Sequence, residues 1–329
     1  MYFGHNSVKL IEEAYKIKMR DMELQHKTSI IASCLFALLV IAHTSFAITL
    51  PIYRHLKNSC INPDCSAIRI VVSNPPINLW DANVVVEFNS FLTSLNSQNS
   101  TKIVVISSDV PGFYISNLDA NIFAASTPST LNVTDVLTKY FANLALLTST
   151  PVIFIGEVNG RAWGAGDEHL LHMDMRFAGP DAQLSAPEVE LGVIHVGGLQ
   201  LLTKLIGPGR TLEYLLSGAQ VDSIEAARVG WVNSAYATED ALRQHVDSLA
   251  RRIALFPIEA IRATKAGVAE QGPSQTSLQD DMDRYNKLAA MTSVQGNIQK
   301  FLILSQNQSR EWELNIGDNL LQMYNSGSD

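Results

Sequence analysis

The stretch Pro151–Glu168, PVIFIGEVNGRAWGAGDE, constrains the fold most, because it combines a strand, a glycine-rich turn and the start of a helix. Its apolar opening, Pro151–Ile155, predicts a buried strand, and Asn159-Gly160 predicts a turn. Small residues at Gly164-Ala165-Gly166 then precede a helix-compatible run. Backbone N–H groups at such a helix start have no intrahelical acceptor, so the stretch predicts a site for an anion or a developing oxyanion.

An alternative for the same stretch is a tight turn in which Glu168 only complements the positive end of the helix dipole. The glycines follow G-x-x-x-G-x-G from Gly160, which does not match the G-x-G-x-x-G fingerprint of dinucleotide binding. The stretch therefore leaves an oxyanion site and a structural turn open, and it does not predict a dinucleotide cofactor.

Composition bounds the size of the core and the class of partner. The chain has 329 residues, 47% of them hydrophobic, which suits one large domain or two ordinary ones. Its net charge of -8, with no basic stripe, argues against a nucleic-acid partner.

The three cysteines allow one small disulfide. Cys34 lies in an apolar run, whereas Cys60 and Cys65 bracket INPD and could close a short loop or remain two unrelated thiols. We predict no metal site, because no second Cys/His pair stands at ligand spacing.

An apolar segment near the N-terminus, Thr28–Leu50, has the length that a membrane helix needs, about 20 residues. Basic residues are more frequent before it than after it, which places the N-terminus in the cytoplasm and the body across the membrane. A secretory signal peptide is the competing interpretation, since Ser45-Phe46-Ala47 resembles a cleavage site and synthesis could start at Met19 or Met22. A buried core helix is the third and least favoured interpretation.

The anchor and the signal peptide both deliver the body to the secretory lumen or the cell exterior. Glycosylation sequons at Asn99, Asn132 and Asn307 are consistent with that location, although such triplets also arise by chance. We expect an intracellular soluble protein only if the N-terminal segment is not part of the natural chain.

The pattern of elements predicts an α/β fold, because predicted strands alternate with predicted helices. The second half is mostly helical, and Asp222 with Glu225 predicts a capping-box helix start. The predicted strands beside Pro151–Ile155 are Ala67–Ser73, Lys102–Ser107 and Arg176–Gly179, and the main predicted helices are Leu79–Leu95, Thr134–Leu147, Gly197–Ile206, Thr211–Leu216, Ile224–Val229, Asp240–Phe256, Ile258–Glu270, Ser277–Ser305 and Glu311–Tyr324.

Four blocks of sequence, in order and at matching spacing, resemble the crotonase superfamily, the enoyl-CoA hydratase/isomerase family. The resemblance runs from about Ile68 to the C-terminus and leaves out the N-terminal apolar segment. The blocks are NPPINLWD at Asn74–Asp81, KIVVISSDVPGFYISNLD at Lys102–Asp119, EVNGRAWGAGDEHLLHMDMRFAG at Glu157–Gly179, and LSAPEVELGVIHVGGLQLLTKLIGPGRTLEYLLSG at Leu184–Gly218.

The resemblance implies a crotonase-type spiral of ββα units. It also implies a C-terminal helical oligomerisation region that packs on neighbouring subunits in a homotrimer or hexamer. The expected organisation is a polar extension at 1–27, a transmembrane anchor or signal segment at 28–50, a linker at 51–66, a crotonase-like core at 67–265 and the helical region at 266–329.

The resemblance also implies the residues of an active site. The oxyanion hole for a thioester carbonyl falls on the backbone N–H groups of Asn117 and Ala165. The paired glutamates of the family's hydratases fall on Glu168 and Glu188, which address one water between them. Contacts to the coenzyme A portion of the substrate fall on Asn78, Leu79, Ser116 and Gly164.

The implied function is an acyl-CoA enzyme, a 2-enoyl-CoA hydratase or isomerase. It needs no separate cofactor, because coenzyme A arrives as part of the acyl-CoA thioester substrate. A hydrolase or lyase of the same fold that acts on a non-CoA carbonyl compound in the secretory pathway is the alternative. A non-catalytic, membrane-tethered scaffold is a third hypothesis.

Three departures from the family pattern bear on the substrate class. Asn117 replaces a small residue, Trp163 replaces a smaller residue and is expected to crowd the acyl or pantetheine path, and the loop after Glu188 is shortened to His195–Gly198. His195 could act on substrate, but a lone histidine in a loop is more often solvated.

Overall fold

The computed structural model of the chain describes residue 20 and residues 52–96, 98, 100–124, 132–270, 272–273, 275–320 and 322–325. The elements below belong to one compact unit, residues 48–329. The predicted membrane or signal segment, Thr28–Leu50, lies outside the described residues, as does Asn99. Among the residues that are described, no helix is both long and apolar enough to cross a bilayer.

Six strands form the larger sheet, with the spatial order β1-β2-β3-β5-β7-β10. The pair β1 and β2 is antiparallel and the other neighbours are parallel, so the central strands are covered on both faces and read as continuous apolar runs. The strands are β1 (Leu56–Cys60), β2 (Ala67–Val72), β3 (Ile103–Ser108), β5 (Ile153–Val158), β7 (Met175–Ala178) and β10 (Ser234–Ala235).

A smaller sheet of four strands carries the turns that shape the site. Its order is β4-β6-β8-β9, and its first three strands run parallel. The strands are β4 (Phe113–Ile115), β6 (Arg161–Trp163), β8 (Gln183–Ser185) and β9 (Val221–Asp222). Two sheets linked by helices agree with the predicted α/β spiral.

Helices cover the larger sheet and make up most of the C-terminal half. The α-helices are α1 (Ala82–Leu95), α2 (Val133–Ser149), α3 (Ala165–His172), α4 (Leu199–Ile206), α5 (Pro208–Ser217), α6 (Ser223–Val229), α7 (Glu239–Ala254), α8 (Ile258–Ala269), α9 (Gln275–Ala289), α10 (Thr292–Leu304), α11 (Arg310–Leu314), α12 (Ile316–Leu320) and α13 (Gln322–Asn325). Short 3-10 helices span Ala120–Ile122 and Pro187–Leu191.

Two apolar layers hold the larger sheet. On one face the aromatic side chains of α1, Phe88 and Phe91, pack with Trp80 in the main core cluster. On the other face Leu242 and Val246 of α7 pack against the sheet in a second cluster. Each of these side chains is buried, and burying one such side chain stabilises the fold by about 1.5–3 kcal/mol.

The expected linker at residues 51–66 is wrong in its middle, because Leu56–Cys60 forms the edge strand β1. Only Leu56 of this strand is buried, so the segment has no apolar alternation for a sequence pattern to show. The possible disulfide between Cys60 and Cys65 is present and closes the turn that leads to β2.

The predicted C-terminal helices are present but interrupted. The predicted helix Ser277–Ser305 is two helices, α9 and α10, which are separated near Met291. The predicted helix Glu311–Tyr324 is three short helices, α11 to α13. These breaks let the segment fold back over the smaller sheet, where Trp312 and Leu320 pack against Trp163.

Candidate active site

The glycine-rich stretch forms the predicted strand, turn and helix, with the additional strand β6 inside the turn. Gly164 has φ +48°, which L side chains rarely adopt, and α3 begins directly after it. A Cβ at Gly166 would lie 2.1 Å from the carbonyl oxygen of Ile115, so glycine lets the start of α3 approach the end of β4.

A cavity of about 90 Å³ opens at this helix start and is lined by both Asn117 and Ala165. Within the described part of the chain, neither of their backbone N–H groups has a hydrogen-bond acceptor. Two N–H donors of this kind can bind a carbonyl oxygen that gains negative charge. The far wall is apolar and comes from the C-terminal helices, through Ile298, Phe301, Ile316 and Leu320.

The loop that presents Asn117 is held by Asn78, which is buried and has φ +51°. The Asn78 side-chain amide donates to Ser108 Oγ at 2.7 Å and to the Tyr114 carbonyl at 2.9 Å. The Asn78 carbonyl accepts the N–H of Ser116 at 3.1 Å. Asn78 therefore fixes the loop, and its predicted contact to coenzyme A remains a prediction.

The other predicted coenzyme A contacts lie close to the same loop. The Leu79 carbonyl accepts from the Asn74 side chain at 2.8 Å, and Ser116 is fully buried. Gly164 lines the cavity and donates its N–H to the Ser185 carbonyl at 3.0 Å. Their role in binding substrate is untested and remains a prediction.

Glu168, in the first turn of α3, is buried beside this cavity. Its Oε1 accepts the Gly197 N–H at 2.9 Å, and its Oε2 accepts the hydroxyl of Tyr140. Burial raises the pKa of Glu168 and the charge of Glu188 adds to this, while His195 and the two hydrogen bonds oppose it. The carboxyl is thus positioned by two donors and can take up a proton.

Glu188 lines the cavity from the 3-10 helix Pro187–Leu191, so the structure brings both predicted glutamates to one site. Its Oε1 lies 3.0 Å from His195 Nδ1. Its Oε2 is buried and has no partner among the described residues, which leaves this oxygen available to a water or a substrate.

His195 is not solvated as expected, since its side chain is only 1% exposed. Nδ1 faces Glu188 at 3.0 Å and Glu168 Oε1 at 3.6 Å, while Nε2 lies 3.1 Å from Asp167 Oδ2. Burial alone would lower the pKa of His195, but the surrounding carboxylates raise it well above its usual value.

Asp167 was missed by sequence reasoning, which treated only its neighbour Glu168 as functional. It is fully buried, and its Oδ1 accepts the indole N–H of Trp231 at 2.8 Å. Burial raises the pKa of Asp167, while His195 and Trp231 oppose that rise. The only available signal was the adjacent acidic pair in the first turn of a buried helix.

The same side chains raise the question of a metal. Single ligand atoms of Glu168, Glu188 and His195 lie within 4.8 Å of one another, and Asp167 stands behind the imidazole as an outer partner would. A cation could bind there only if His195 Nδ1 lost its proton, because metal ligands must be deprotonated. The prediction of no metal remains untested.

Trp163 does not line the cavity and so does not narrow this space, and its crowding of the acyl or pantetheine path stays a prediction. It is fully buried and packs with Phe301 and Trp312 of the C-terminal helices. The side-chain amide of Asn117 donates to Glu313 Oε2 at 3.1 Å, while its Oδ1 stays close to Gly164 at the cavity wall. Burial raises the pKa of Glu313 to about 8.

Comparison with known proteins identifies the family. The model of the enoyl-CoA hydratase/isomerase family matches residues 64–307. The chain is 27% identical over 215 residues to "Probable enoyl-CoA hydratase 2, mitochondrial" of Arabidopsis thaliana, covering 65% of this chain and 70% of that protein. It is also 27% identical over 215 residues to the crotonyl-CoA hydratase of Syntrophomonas wolfei, covering 65% of this chain and 79% of that protein.

A solved structure supports the fold. The crystal structure of enoyl-CoA hydratase from Bacillus halodurans superposes with a TM-score of 0.67 at 20% identity. The superposition covers 75% of this chain and 99% of that one. The two spirals therefore share their architecture.

Proposed function

We propose that this chain, which belongs to the enoyl-CoA hydratase/isomerase family, adds water to 2-enoyl-CoA thioesters. Membership makes it an acyl-CoA enzyme of the hydratase/isomerase type. The hydration reaction is carried by one observation: two carboxyl groups, Glu168 and Glu188, meet beside a cavity that also presents two N–H donors.

The two N–H groups would bind the thioester carbonyl. When hydroxide adds to the β-carbon, negative charge moves to the carbonyl oxygen, and the N–H groups of Asn117 and Ala165 stabilise that enolate. A single donor of this kind is typically worth about 10²–10³ in rate.

The glutamates would move the protons. Glu168 takes one proton from the water while the water oxygen bonds to the β-carbon. Glu188 gives one proton to the α-carbon. The product gains one oxygen and two hydrogens, which balances the addition of one water. General acid–base work of this kind contributes about 10²–10⁴ in rate.

The site favours hydration over isomerisation, because moving a double bond needs one carboxyl to carry a proton and no bound water. Here two carboxyls converge, and the buried Glu188 Oε2 still lacks a partner among the described residues. An ordered water is the partner that such an oxygen ordinarily takes.

Loss of conjugated-thioester absorbance on mixing the full chain with a short 2-enoyl-CoA tests this proposal. We expect Glu168→Gln and Glu188→Gln each to lower kcat by about 10²–10⁴, while the exposed Glu213→Gln stays at the wild-type rate. A folded protein that binds CoA thioesters but neither hydrates nor isomerises them would refute the proposal.

The alternatives predict different results in the same experiment. A non-CoA carbonyl substrate predicts no affinity for CoA thioesters. A non-catalytic scaffold predicts that a Glu168→Gln, Glu188→Gln double variant behaves like wild type in every assay.

A secretory or exterior location of the body is a further proposal. The Cys60–Cys65 disulfide supports it, because such bonds persist in oxidising compartments, and Asn132 and Asn307 are exposed. A mass shift after glycosidase treatment of the native protein would support this location, and light scattering would report whether it forms a trimer or hexamer.

A further inference from the structure

Both ring nitrogens of His195 face carboxylate oxygens, and this fixes the number of protons in the group. The Nδ1 contact to Glu188 and the Nε2 contact to Asp167, at 3.0 and 3.1 Å, are hydrogen bonds only if each contains one proton. The three side chains therefore hold two protons and one negative charge. The proton between Nδ1 and Glu188 can rest on either atom without changing that total.

A second carboxyl lies within reach of the same nitrogen. Glu168 Oε1 is 3.6 Å from Nδ1, so Nδ1 stands between the two glutamates of the site. The imidazole is almost inaccessible to solvent, as is Glu168. The Glu188 side chain is 17% exposed and lines the cavity, so bulk water reaches Glu188 far more readily than Glu168, and a proton that leaves Glu168 needs a carrier inside the protein.

We propose that His195 returns one proton from Glu168 to Glu188 after each turnover and so resets the pair. The inference rests on the proposed hydration, because that reaction leaves the two carboxyls in exchanged states. Glu168 ends with the proton that it took from water, and Glu188 ends without the proton that it gave to the α-carbon.

The reset balances within the group. After the chemical step, the proton once shared by Nδ1 and Glu188 is in the product, so Nδ1 carries a free electron pair. Nδ1 accepts the proton of Glu168, breaking its O–H bond and forming an N–H bond. That N–H then donates to Glu188 and restores the starting arrangement, while Nε2–H stays with Asp167.

The surroundings favour each state of this cycle. Asp167 faces Nε2 and stabilises the positive ring, and the Trp231 N–H holds Asp167 in place. Tyr140 and the Gly197 N–H stabilise Glu168 as a carboxylate once it has lost the proton.

Other titratable side chains also lie nearby. The Nε2–H of His172 donates to the Gly197 carbonyl at 2.7 Å, and burial lowers the pKa of His172 to about 4, so this ring stays neutral. Burial and the charge of Glu188 raise the pKa of Glu190 to about 7, and burial raises the pKa of Tyr285, which therefore keeps its proton.

Because His195 acts through the glutamates, its test needs a readout that a packing defect would not change. In His195→Gln we expect kcat to fall by about 10²-fold with little change in KM. We also expect kcat of this variant to rise with buffer concentration at fixed pH, since an external acid or base must now carry the proton. His195→Ala should regain part of its rate with added imidazole. The matched control is His245→Gln, because the half-buried ring of His245 in α7 packs against Phe177 and Tyr236 and contacts neither glutamate.

Several results would overturn the inference. A His195→Gln enzyme with the wild-type kcat would do so, as would a lowered kcat that responds to neither buffer nor imidazole. A stoichiometric divalent cation in the purified enzyme would also overturn it, because Nδ1 would then be a ligand.

Nitrogen-15 NMR of histidine-labelled protein separates this inference from the proposed function. We expect protons on both ring nitrogens of His195 near pH 7, and Glu188→Gln should shift the Nδ1 signal much more than the Nε2 signal. If Nδ1 carries no proton and its signal does not shift in Glu188→Gln, the shared proton is refuted. Absent hydration with an intact Nδ1 proton would refute the function and leave the proton position established.

Discussion

Gly164→Ala perturbs the oxyanion site at its most constrained point. Gly164 has φ +48° and ψ -112°, and a Cβ there would lie 2.9 Å from Asn117 Oδ1 and 3.1 Å from Glu188 Oε1. Both contacts are closer than ordinary van der Waals contact. The substitution therefore strains the backbone and displaces two residues of the site together.

The two effects can be estimated separately. Holding a residue with a side chain in such a backbone conformation costs about 1–3 kcal/mol. For a domain of this size each kcal/mol lowers Tm by roughly 2–4 °C. Moving Asn117 and Glu188 by a fraction of an ångström misplaces both the N–H donor and the acid, and a 1 Å error of this kind can cost about 10²-fold in rate.

Thermal unfolding and 2-enoyl-CoA hydration, measured on the same preparation, check both estimates. Gly209→Ala is the matched control, because Gly209 lies in α5, has no atom within 4 Å of its added Cβ and has ordinary φ. We expect that control to keep its rate and to gain about 0.5–1 kcal/mol. A Gly164→Ala enzyme with wild-type Tm and kcat would refute the reasoning.

Three more substitutions test other parts of the structure. The pKa of Glu313 is raised to about 8, so between about pH 4.5 and pH 8 the folded protein keeps a proton that the unfolded chain releases, and the free energy of unfolding falls as pH rises through this window. In urea unfolding, Glu313→Gln should be more stable than wild type at pH 8.5, by at most about 5 kcal/mol. At pH 4 we expect the free energy of unfolding to change little. Phe301→Ala enlarges the 90 Å³ cavity and should raise the ratio of kcat/KM for a C8 over a C4 enoyl-CoA several-fold, whereas an unchanged ratio would show that the acyl chain lies elsewhere. A Cβ at Gly198 would lie 2.0 Å from His195 Nε2, so Gly198→Ala should displace the imidazole ring from its site. We then expect the same buffer-dependent kcat as in His195→Gln. Full activity of Gly198→Ala would contradict the described loop.

Local chemistry made the regular elements predictable from sequence. The central strands are continuous apolar runs, and Asp222 caps α6 by accepting the Glu225 N–H at 2.8 Å, as predicted. The reciprocal half of the capping box is absent, because the Glu225 side chain binds Tyr214 and Arg228 instead. Strand β1 was not predicted, because its own residues show no strand pattern. It is a strand only because it pairs with β2.

Residues of the candidate site could be predicted only where the family resemblance assigned a role to a particular position of the sequence. Glu188, Asn117 and Ala165 line one cavity, and an oxygen of Glu168 lies within 4.8 Å of ligand atoms of Glu188 and His195. Nothing local in the sequence shows that Glu313, 196 positions from Asn117, returns to contact it. Such contacts depend on how the C-terminal helices fold back, which local propensity does not determine.

The shortened loop after Glu188 and the buried imidazole are two aspects of one arrangement. The loop brings His195 beneath α3, where the missing side chains of Gly197 and Gly198 leave room for the ring and for the Glu168 carboxylate. A buried imidazole would ordinarily be neutral, but three carboxylates around it reverse that preference. The same carboxylates would repel one another without the ring, so His195 lowers the cost of placing both glutamates close together. Removing the imidazole should therefore disturb the protonation of the glutamates even in enzyme without substrate, which links the chemistry of the site to the length of a single loop.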